Sequence, residues 1–263
     1  MFKADLHCHS TCSDGTFSPS ELLHLAKQAG LSGLSITDHD TIAAYTPGLF
    51  AEAEKLGICL LTGIECSSEE DVHILGYHVD PTSPSLLVFI DGMQRRRKER
   101  NDQLLEKFRK KGITFTEEEL KPMDDPSAGR VHVAQILIHK KLATSIRDAF
   151  DRYLKEGASC YVPGERCSPE EIIESIHKAK GKAILAHPHL IRKKNILKGL
   201  LELPLDGLEC YYGILQHYRN APFVEIAKRK GWIATGGSDF HGKNTPHLTL
   251  GCCWVDEATF NKL

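Results

Sequence analysis

No apolar run in this sequence approaches the ~20 residues needed to cross a bilayer. The first residues, with Lys3 and Asp5, lack the apolar core of a signal peptide. These absences lead us to expect a cytoplasmic protein with no membrane role. Net charge is also small, −2 at neutral pH, so no global field draws the chain to nucleic acid or anionic lipid, and any such attraction is local. A cysteine framework is missing too. The nine cysteines are an odd number scattered at 8, 12, 59, 66, 160, 167, 210, 252 and 253, and in a chain without an export signal they read as reduced thiols. Neither a Gly-rich phosphate loop nor a Gly-x-Ser-x-Gly elbow is present, which removes the metal-free routes that those motifs provide.

Histidine is what the sequence has in quantity. There are 14, clustered at the ends of apolar runs. The first cluster is Asp5-Leu6-His7-Cys8-His9, which leads into Ser10-Thr11-Cys12-Ser13-Asp14. Alternate side chains of an extended segment share a face, so His7 and His9 point together while Cys8 points away. Two imidazoles with the Asp14 carboxylate in the next turn are the start of a divalent-cation site. Taken alone, His-x-His is equally compatible with two ordinary polar strand residues, and the partners further along decide the matter.

At 263 residues and 41% hydrophobic content, the chain can bury a sizeable core, as one barrel-sized domain or as a domain carrying an insert. Ser18-Pro19-Ser20-Glu21 is a capping box with proline at the first helical position. Leu22, Leu23, Leu25, Ala26 and Ala29 then form one apolar stripe that Gly30 ends. A strand over 34–37 delivers Asp38-His39-Asp40, a helix is expected over 41–56, and 58–64 reads as a buried strand ending at Glu65. The strand over 72–77 carries His73. Ser168-Pro169-Glu170-Glu171 repeats the capping box, and the strand over 183–186 delivers His187-Pro188-His189. Strands over 208–211 and 232–235 follow, the last ending in Gly236-Gly237-Ser238-Asp239-Phe240-His241. Seven strands alternating with helices predict a parallel α/β sheet. His7/His9, Asp38/His39, Glu65, His187 and Asp239/His241 all occupy strand ends, and in a (β/α) barrel the carboxyl ends converge on one mouth. An open doubly wound sheet, whose sites concentrate at one switch point, is the weaker fit.

Residues 83–160 break the rhythm. They read as helices, with apolar positions at Leu86, Leu87, Phe89 and Ile90 and later at Leu104, Leu105 and Phe108. We expect a helical insertion domain over 83–160, beside the mouth of a barrel built from 1–82 and 161–263. Within it, residues 94–113 hold nine Lys/Arg against three Asp/Glu. A solvated helix face accounts for many of these charges, and phosphate binding is the better reading for some. Gly129-Arg130-Val131-His132, leading into an apolar helix, is a second candidate.

Asp5-x-His7-x-His9, Asp14, Thr37-Asp38-His39, Glu65, His73, Ala186-His187-Pro188 and Ser238-Asp239-x-His241 resemble the PHP (polymerase and histidinol phosphatase) superfamily, in order along the whole chain. Val72-His73-Ile74-Leu75-Gly76, the Arg-rich helix ending in Arg100-Asn101, and Gly129-Arg130-x-His132 are similar to its small stand-alone phosphoesterases. These include nucleotide phosphatases and 5′→3′ exoribonucleases of the RNase AM type. The resemblance implies a distorted (β/α)7 TIM-like barrel with three divalent metal positions and a helical insertion domain over the mouth. It implies that His7, His9, Glu65 and Asp239 hold one ion and that Glu65 bridges to a second, completed by His73 and His187. Asp14, His39 and His241 would hold the third. Asp5 and Asp38 would orient imidazoles, and Arg130, with Arg100 or Asn101, would bind substrate.

Mixed nitrogen and oxygen donors suit Mn, Fe or Zn better than Mg. Divalent ions ~3.5–4 Å apart activate a bridging water and neutralise both oxygens of an in-line phosphoryl displacement. Glu65 and Asp239 are then the catalytic carboxylates, with His189 and Asp38 as candidate general acids. The expected activity is hydrolysis of 5′-phosphate or 5′-terminal phosphodiester bonds in 3′,5′-bisphosphonucleotides, nucleoside monophosphates or short RNA, with no stable protein partner inferred. Two alternatives stay open. One is histidinol-phosphate phosphatase; the other is a non-catalytic, metal-stabilised binding module, which loss of ligands would favour, and none is lost.

Overall fold

In the computed structural model, which describes residues 1–164, 166–213, 215 and 217–263, seven short strands are hydrogen-bonded in the order of the chain. They are β1 (Ala4–Asp5), β2 (Gly33–Ile36), β3 (Cys59–Ser67), β4 (His73–Tyr77), β5 (Lys182–Leu185), β6 (Gly207–Tyr212) and β7 (Ile233–Gly237). The helices are α1 (Pro19–Gln28), α2 (Pro47–Leu56), α3 (Pro84–Lys110), α4 (Glu117–Leu120), α5 (Arg130–His139), α6 (Ile146–Ala149), α7 (Pro169–Lys178), α8 (Lys194–Leu200), α9 (His217–Lys230) and α10 (Glu257–Phe260). The sheet curls until its ends meet. Leu6 N–H donates to the Gly236 carbonyl at 3.4 Å and Asp239 N–H to the His7 carbonyl at 2.8 Å, while Cys8 and Phe240 form a parallel bridge. The result is a nearly closed seven-stranded barrel with surrounding helices, the α/β architecture expected from the sequence.

One strand departs from that expectation. β4 runs antiparallel to both β3 and β5. A parallel crossover needs a dozen or more residues, and the few residues between Ser67 and His73 allow the chain only to turn back. Reversal places the amino end of β4 where its neighbours present carboxyl ends, so His73 sits opposite Ser67 at the close of β3.

A second departure is the start of α2, which lies at Pro47 instead of residue 41. Inside a helix, proline would remove a hydrogen bond and clash with the preceding turn, whereas at the first position it costs nothing. The Thr46 side chain caps that start by accepting from Leu49 N–H. The helices α1 and α7 begin as expected, with Ser18/Glu21 and Ser168/Glu171 forming reciprocal caps. They bury Leu22, Leu23 and Ala26, and Ile172, Ile173 and Ile176, respectively. A cluster of Leu6, Leu75, Tyr77, Ile184 and Ala186 forms part of the barrel's core, and the buried Tyr77 hydroxyl donates to the Leu6 carbonyl at 2.9 Å.

Two compact units divide the chain. The first, Met1–Phe89 with Cys167–Leu263, contains the barrel. The second, Ile90–Arg166, holds most of α3 together with α4, α5 and α6. Its core is built from Leu104, Phe108, Val133, Ala134, Leu137 and Leu154. Along α3 the Arg-rich run splits by face. Arg95 and Lys98 are exposed and pair with Asp91 and Asp102 one turn away, while Arg100 and Asn101 are buried. Leu87, counted above among the apolar positions, faces solvent while Leu86 is buried, because successive helical residues turn by roughly 100° and do not share a face. No helix among the described residues is long and apolar enough to cross a membrane.

Candidate metal centre

The Glu65 carboxylate, 1% exposed, is the common neighbour of five imidazoles. His73 Nδ1 lies 2.8 Å and His187 Nε2 2.9 Å from its Oε1. His9 Nε2 and His39 Nδ1 lie 3.1 Å, and His7 Nε2 3.4 Å, from its Oε2. Asp239 Oδ1 faces His7 at 3.3 Å and His9 at 3.4 Å. Asp14 faces His241 at 3.3 Å, His9 at 3.6 Å and His39 at 3.8 Å. All nine side chains named as ligands from the sequence thus come together. Their ligand atoms fall into four overlapping groups, each within 4.8 Å: His7/Glu65/His187, His7/His9/Asp239, His39/Glu65/His73 and His9/Asp14/His39/His241.

Asp5 and Asp38, expected to orient imidazoles, hold backbone and serine hydroxyls instead. Asp5 accepts from the N–H groups of His7, Ser238 and Gly251 at 3.2, 2.9 and 2.8 Å, which ties β1 to the exit of β7. Burial raises its pKa to about 6. Asp38, adjacent to His39 in an extended segment, points to the other side of the chain. It accepts from Ser10 N–H at 2.7 Å and from the Ser10 and Ser13 hydroxyls at 2.5 Å. Fully engaged and 1% exposed, Asp38 has no access to a leaving group, which removes it as a candidate general acid.

Two contributors were not anticipated. Glu209 in β6 places Oε1 2.8 Å from His7 Nδ1, and the Tyr212 hydroxyl donates to Asp239 Oδ2 at 2.7 Å. A signal for Glu209 existed: it is the lone charge in the strand Gly207–Tyr212, as Glu65 is in Cys59–Ser67. His189 lies beside these groups, its ring stacked on Tyr212 at 6.0 Å and edge-on to Phe223 at 4.4 Å. Burial lowers its pKa to about 4, so the ring is neutral near pH 7.

The residues present fit divalent cations. His7 Nε2, both nitrogens of His9, His39 Nδ1 and Asp14 Oδ1 are buried without a hydrogen-bond partner among the described residues. An unsatisfied buried polar atom costs roughly 1–3 kcal/mol, and a cation coordinated by several of them removes that cost. Burial opposes protonation of His7, but the Glu209, Asp239 and Glu65 carboxylates outweigh it and hold the ring's pKa well above the ordinary range. His9 rises to about 10 against the same burial penalty, through Asp239, Glu65 and Asp14. His39, where burial dominates, falls to about 3. Burial would raise Glu65, yet His73, His39 and His7 hold it well below the usual carboxylate range. The cluster therefore keeps its carboxylates charged and is completed by protons or by cations. His7 and His9 would have to release protons to bind an ion.

Two residues of the cluster sit in the left-handed region, His187 at φ 25 and Asp239 at φ 54. Such conformations cost roughly 1–3 kcal/mol and persist where surrounding bonds over-determine them. Here His187 N–H donates to Glu209 Oε2 at 2.7 Å, and Asp239 N–H donates to the His7 carbonyl.

In the second unit, Arg100 Nη2 donates to Asn101 Oδ1 at 3.0 Å and Asn101 Nδ2 to the Ala128 carbonyl at 2.7 Å. A Cβ at Gly129 would lie 2.6 Å from Arg97 Nη1 and 3.8 Å from Arg100 Nη2. Two guanidinium groups thus converge on the glycine that precedes α5, whose first residue is Arg130. Arg97 was not singled out from the sequence. Guanidinium groups beside the first N–H groups of a helix are suited to an anion.

The PHP domain family matches residues 5–162 of this chain. The chain is similar to a 5′-3′ exoribonuclease from Haemophilus influenzae, with 38% identity over 97% of this chain and 92% of the relative. It is also similar to a 3′,5′-nucleoside bisphosphate phosphatase from Chromobacterium violaceum, with 31% identity over 92% of this chain and 88% of the relative. Among solved structures, a metal-dependent phosphoesterase from Bifidobacterium adolescentis matches with a TM-score of 0.87 at 28% identity, covering 98% of this chain and 94% of that one.

Proposed function

Because this chain belongs to the PHP domain family, we propose that it is a divalent-metal-dependent phosphoesterase acting at the 5′ end of its substrate. It removes a 5′-phosphate, or cleaves the first phosphodiester, of 3′,5′-bisphosphonucleotides, nucleoside monophosphates or short RNA, in the cytoplasm. The observation that carries this reading is the convergence of five imidazoles on buried Glu65, with Asp14 and Asp239 closing the same cluster. His7, His9, Glu65 and Asp239 would hold one ion, Glu65, His73 and His187 a second, and Asp14, His39 and His241 a third. Ions of the Mn, Fe or Zn type bound there would activate water and neutralise charge on the transferring phosphoryl group.

The chain's own groups do the rest. Glu65 and Asp239 spread their charge over the imidazoles, and Tyr212 steadies Asp239 through its hydroxyl. His189, neutral near pH 7 because burial lowers its pKa, would donate a hydrogen bond to the leaving oxygen and would not protonate it, so the general-acid role expected of it is not supported. We assign substrate binding to a helical insertion over 83–160, with 1–82 and 161–263 forming the barrel. Arg130, Arg100 and Asn101, joined by Arg97, anchor a second phosphate. The buried guanidinium of Arg100 and the clustering around Gly129 support that role.

Phosphate release should be compared for AMP, a 3′,5′-bisphosphonucleotide, a 5′-phosphorylated RNA oligomer and histidinol phosphate, with Mn and after chelation. We expect chelation to remove activity and Mn to restore it. The bisphosphonucleotide should exceed AMP in kcat/KM by roughly tenfold or more, since a charge-assisted hydrogen bond contributes about 1.5–3 kcal/mol. RNA should shorten from its 5′ end. Full activity after chelation would end the reading, and preference for histidinol phosphate would move the enzyme to amino-acid chemistry.

Arg130→Ala should lower kcat/KM on the bisphosphonucleotide by roughly 10- to 100-fold, mainly through KM, from the same lost hydrogen bond. AMP, lacking the second anchor, should be affected less. Unchanged kinetics on both substrates would place Arg130 outside the site.

A further inference from the structure

Glu209 is fully buried in β6, and each of its oxygens meets a group on a different ligand residue. Oε1 lies 2.8 Å from His7 Nδ1, and Oε2 accepts from the backbone N–H of His187 at 2.7 Å. As a carboxylate it has only acceptors, so His7 must present Nδ1–H to it. That leaves Nε2, the atom that faces Glu65 and Asp239, as the nitrogen whose lone pair would take a cation once its own proton is displaced. The other oxygen holds His187 in its left-handed conformation, from which the His187 ring reaches Glu65.

We propose that Glu209 is a positioning residue that sets the metal-binding tautomer of His7 and the backbone of His187 with one carboxylate, an inference that rests on the metal reading above. Glutamine is the informative replacement because it nearly preserves volume but has one acceptor where two donors require two. If the amide oxygen stays on His187 N–H, the amide NH2 faces His7 Nδ1 and favours the tautomer protonated on Nε2, which blocks the lone pair. If the amide turns over, its NH2 opposes the His187 N–H and that backbone loses its restraint. Either arrangement spoils one ligand.

The test is calorimetric titration of Mn into chelator-stripped wild type and Glu209→Gln, with the metal retained after gel filtration measured by mass spectrometry. Binding should weaken by roughly 10- to 100-fold, the range for partners that orient a ligand. Nitrogen-15 NMR of the zinc-loaded wild type, which needs no variant, should find the His7 proton on Nδ1. Wild-type affinity in Glu209→Gln, or a proton on Nε2 in the zinc-loaded protein, overturns the inference and leaves the metal reading standing. Failure of the wild type to bind Mn or Zn overturns both. If Glu209→Gln does not fold, the tautomer measurement decides alone.

Discussion

Replacing Glu65 by alanine should abolish phosphate-ester hydrolysis, lowering kcat/KM by at least ~10³-fold, about 4 kcal/mol of transition-state stabilisation, while the barrel still folds. Five imidazoles share this one carboxylate. Without it they face one another across a buried space, and the groups His7/Glu65/His187 and His39/Glu65/His73 lose the carboxylate they have in common. The strand itself does not depend on the side chain. Glu65 N–H still donates to the Asp38 carbonyl, the Glu65 carbonyl still accepts from Asp40 N–H, and the β3–β4 ladder is made by backbone. Turnover with Mn, retained metal and the circular dichroism spectrum, measured together, separate loss of the site from loss of the fold. Turnover within tenfold of wild type would show that Glu65 is not the shared ligand.

Gly237→Ala should have a large effect on stability, because the barrel closes through this position. A Cβ there would lie 2.4 Å from both the Cβ and the backbone nitrogen of His7 and 2.8 Å from its Cα. These are backbone-level clashes that no rotamer relieves. Overpacking a well-fitted interior typically costs 1–3 kcal/mol, and with β1 itself obstructed we expect about 3 kcal/mol or more. That corresponds to a fall in Tm of roughly 6–12 °C for a chain of this size. Metal retention should fall with it, since His7 is the residue displaced. Gly199→Ala is the control: it lies in α8 with nothing within 4 Å of the added methyl, so it should be neutral or stabilising by roughly 0.5–1 kcal/mol. Equal melting temperatures for Gly237→Ala and wild type would contradict this account of closure.

Much of the architecture was legible because it is written locally. Ser18-Pro19-Ser20-Glu21 and Ser168-Pro169-Glu170-Glu171 state where helices begin, and His7, Glu65, His187 and Asp239 each follow or end a short apolar run. What escaped depends on neighbours distant in the chain. Glu209 stands out locally as the lone charge of its strand, but the groups it serves are set only when β6 brings it to His7 and the His187 backbone. Arg97 acquires meaning only where α3 passes Gly129. The direction of β4 is a different case: the short link after Ser67 already precluded a parallel crossover, and the alternation elsewhere concealed it.

The reversed strand also divides the chain. β4 pairs with β5 through Tyr77 and Lys182, so that step of the sheet joins segments separated by on the order of 100 residues, a closure costing roughly 4 kcal/mol of chain entropy. His7, His9, Asp14, His39, Glu65 and His73 precede the interval, and His187, Asp239 and His241 follow it. A cation shared between the two sets would act on the chain as a cross-link acts, tying the ends of a long loop. Withdrawing it would loosen the seam between the halves of the barrel.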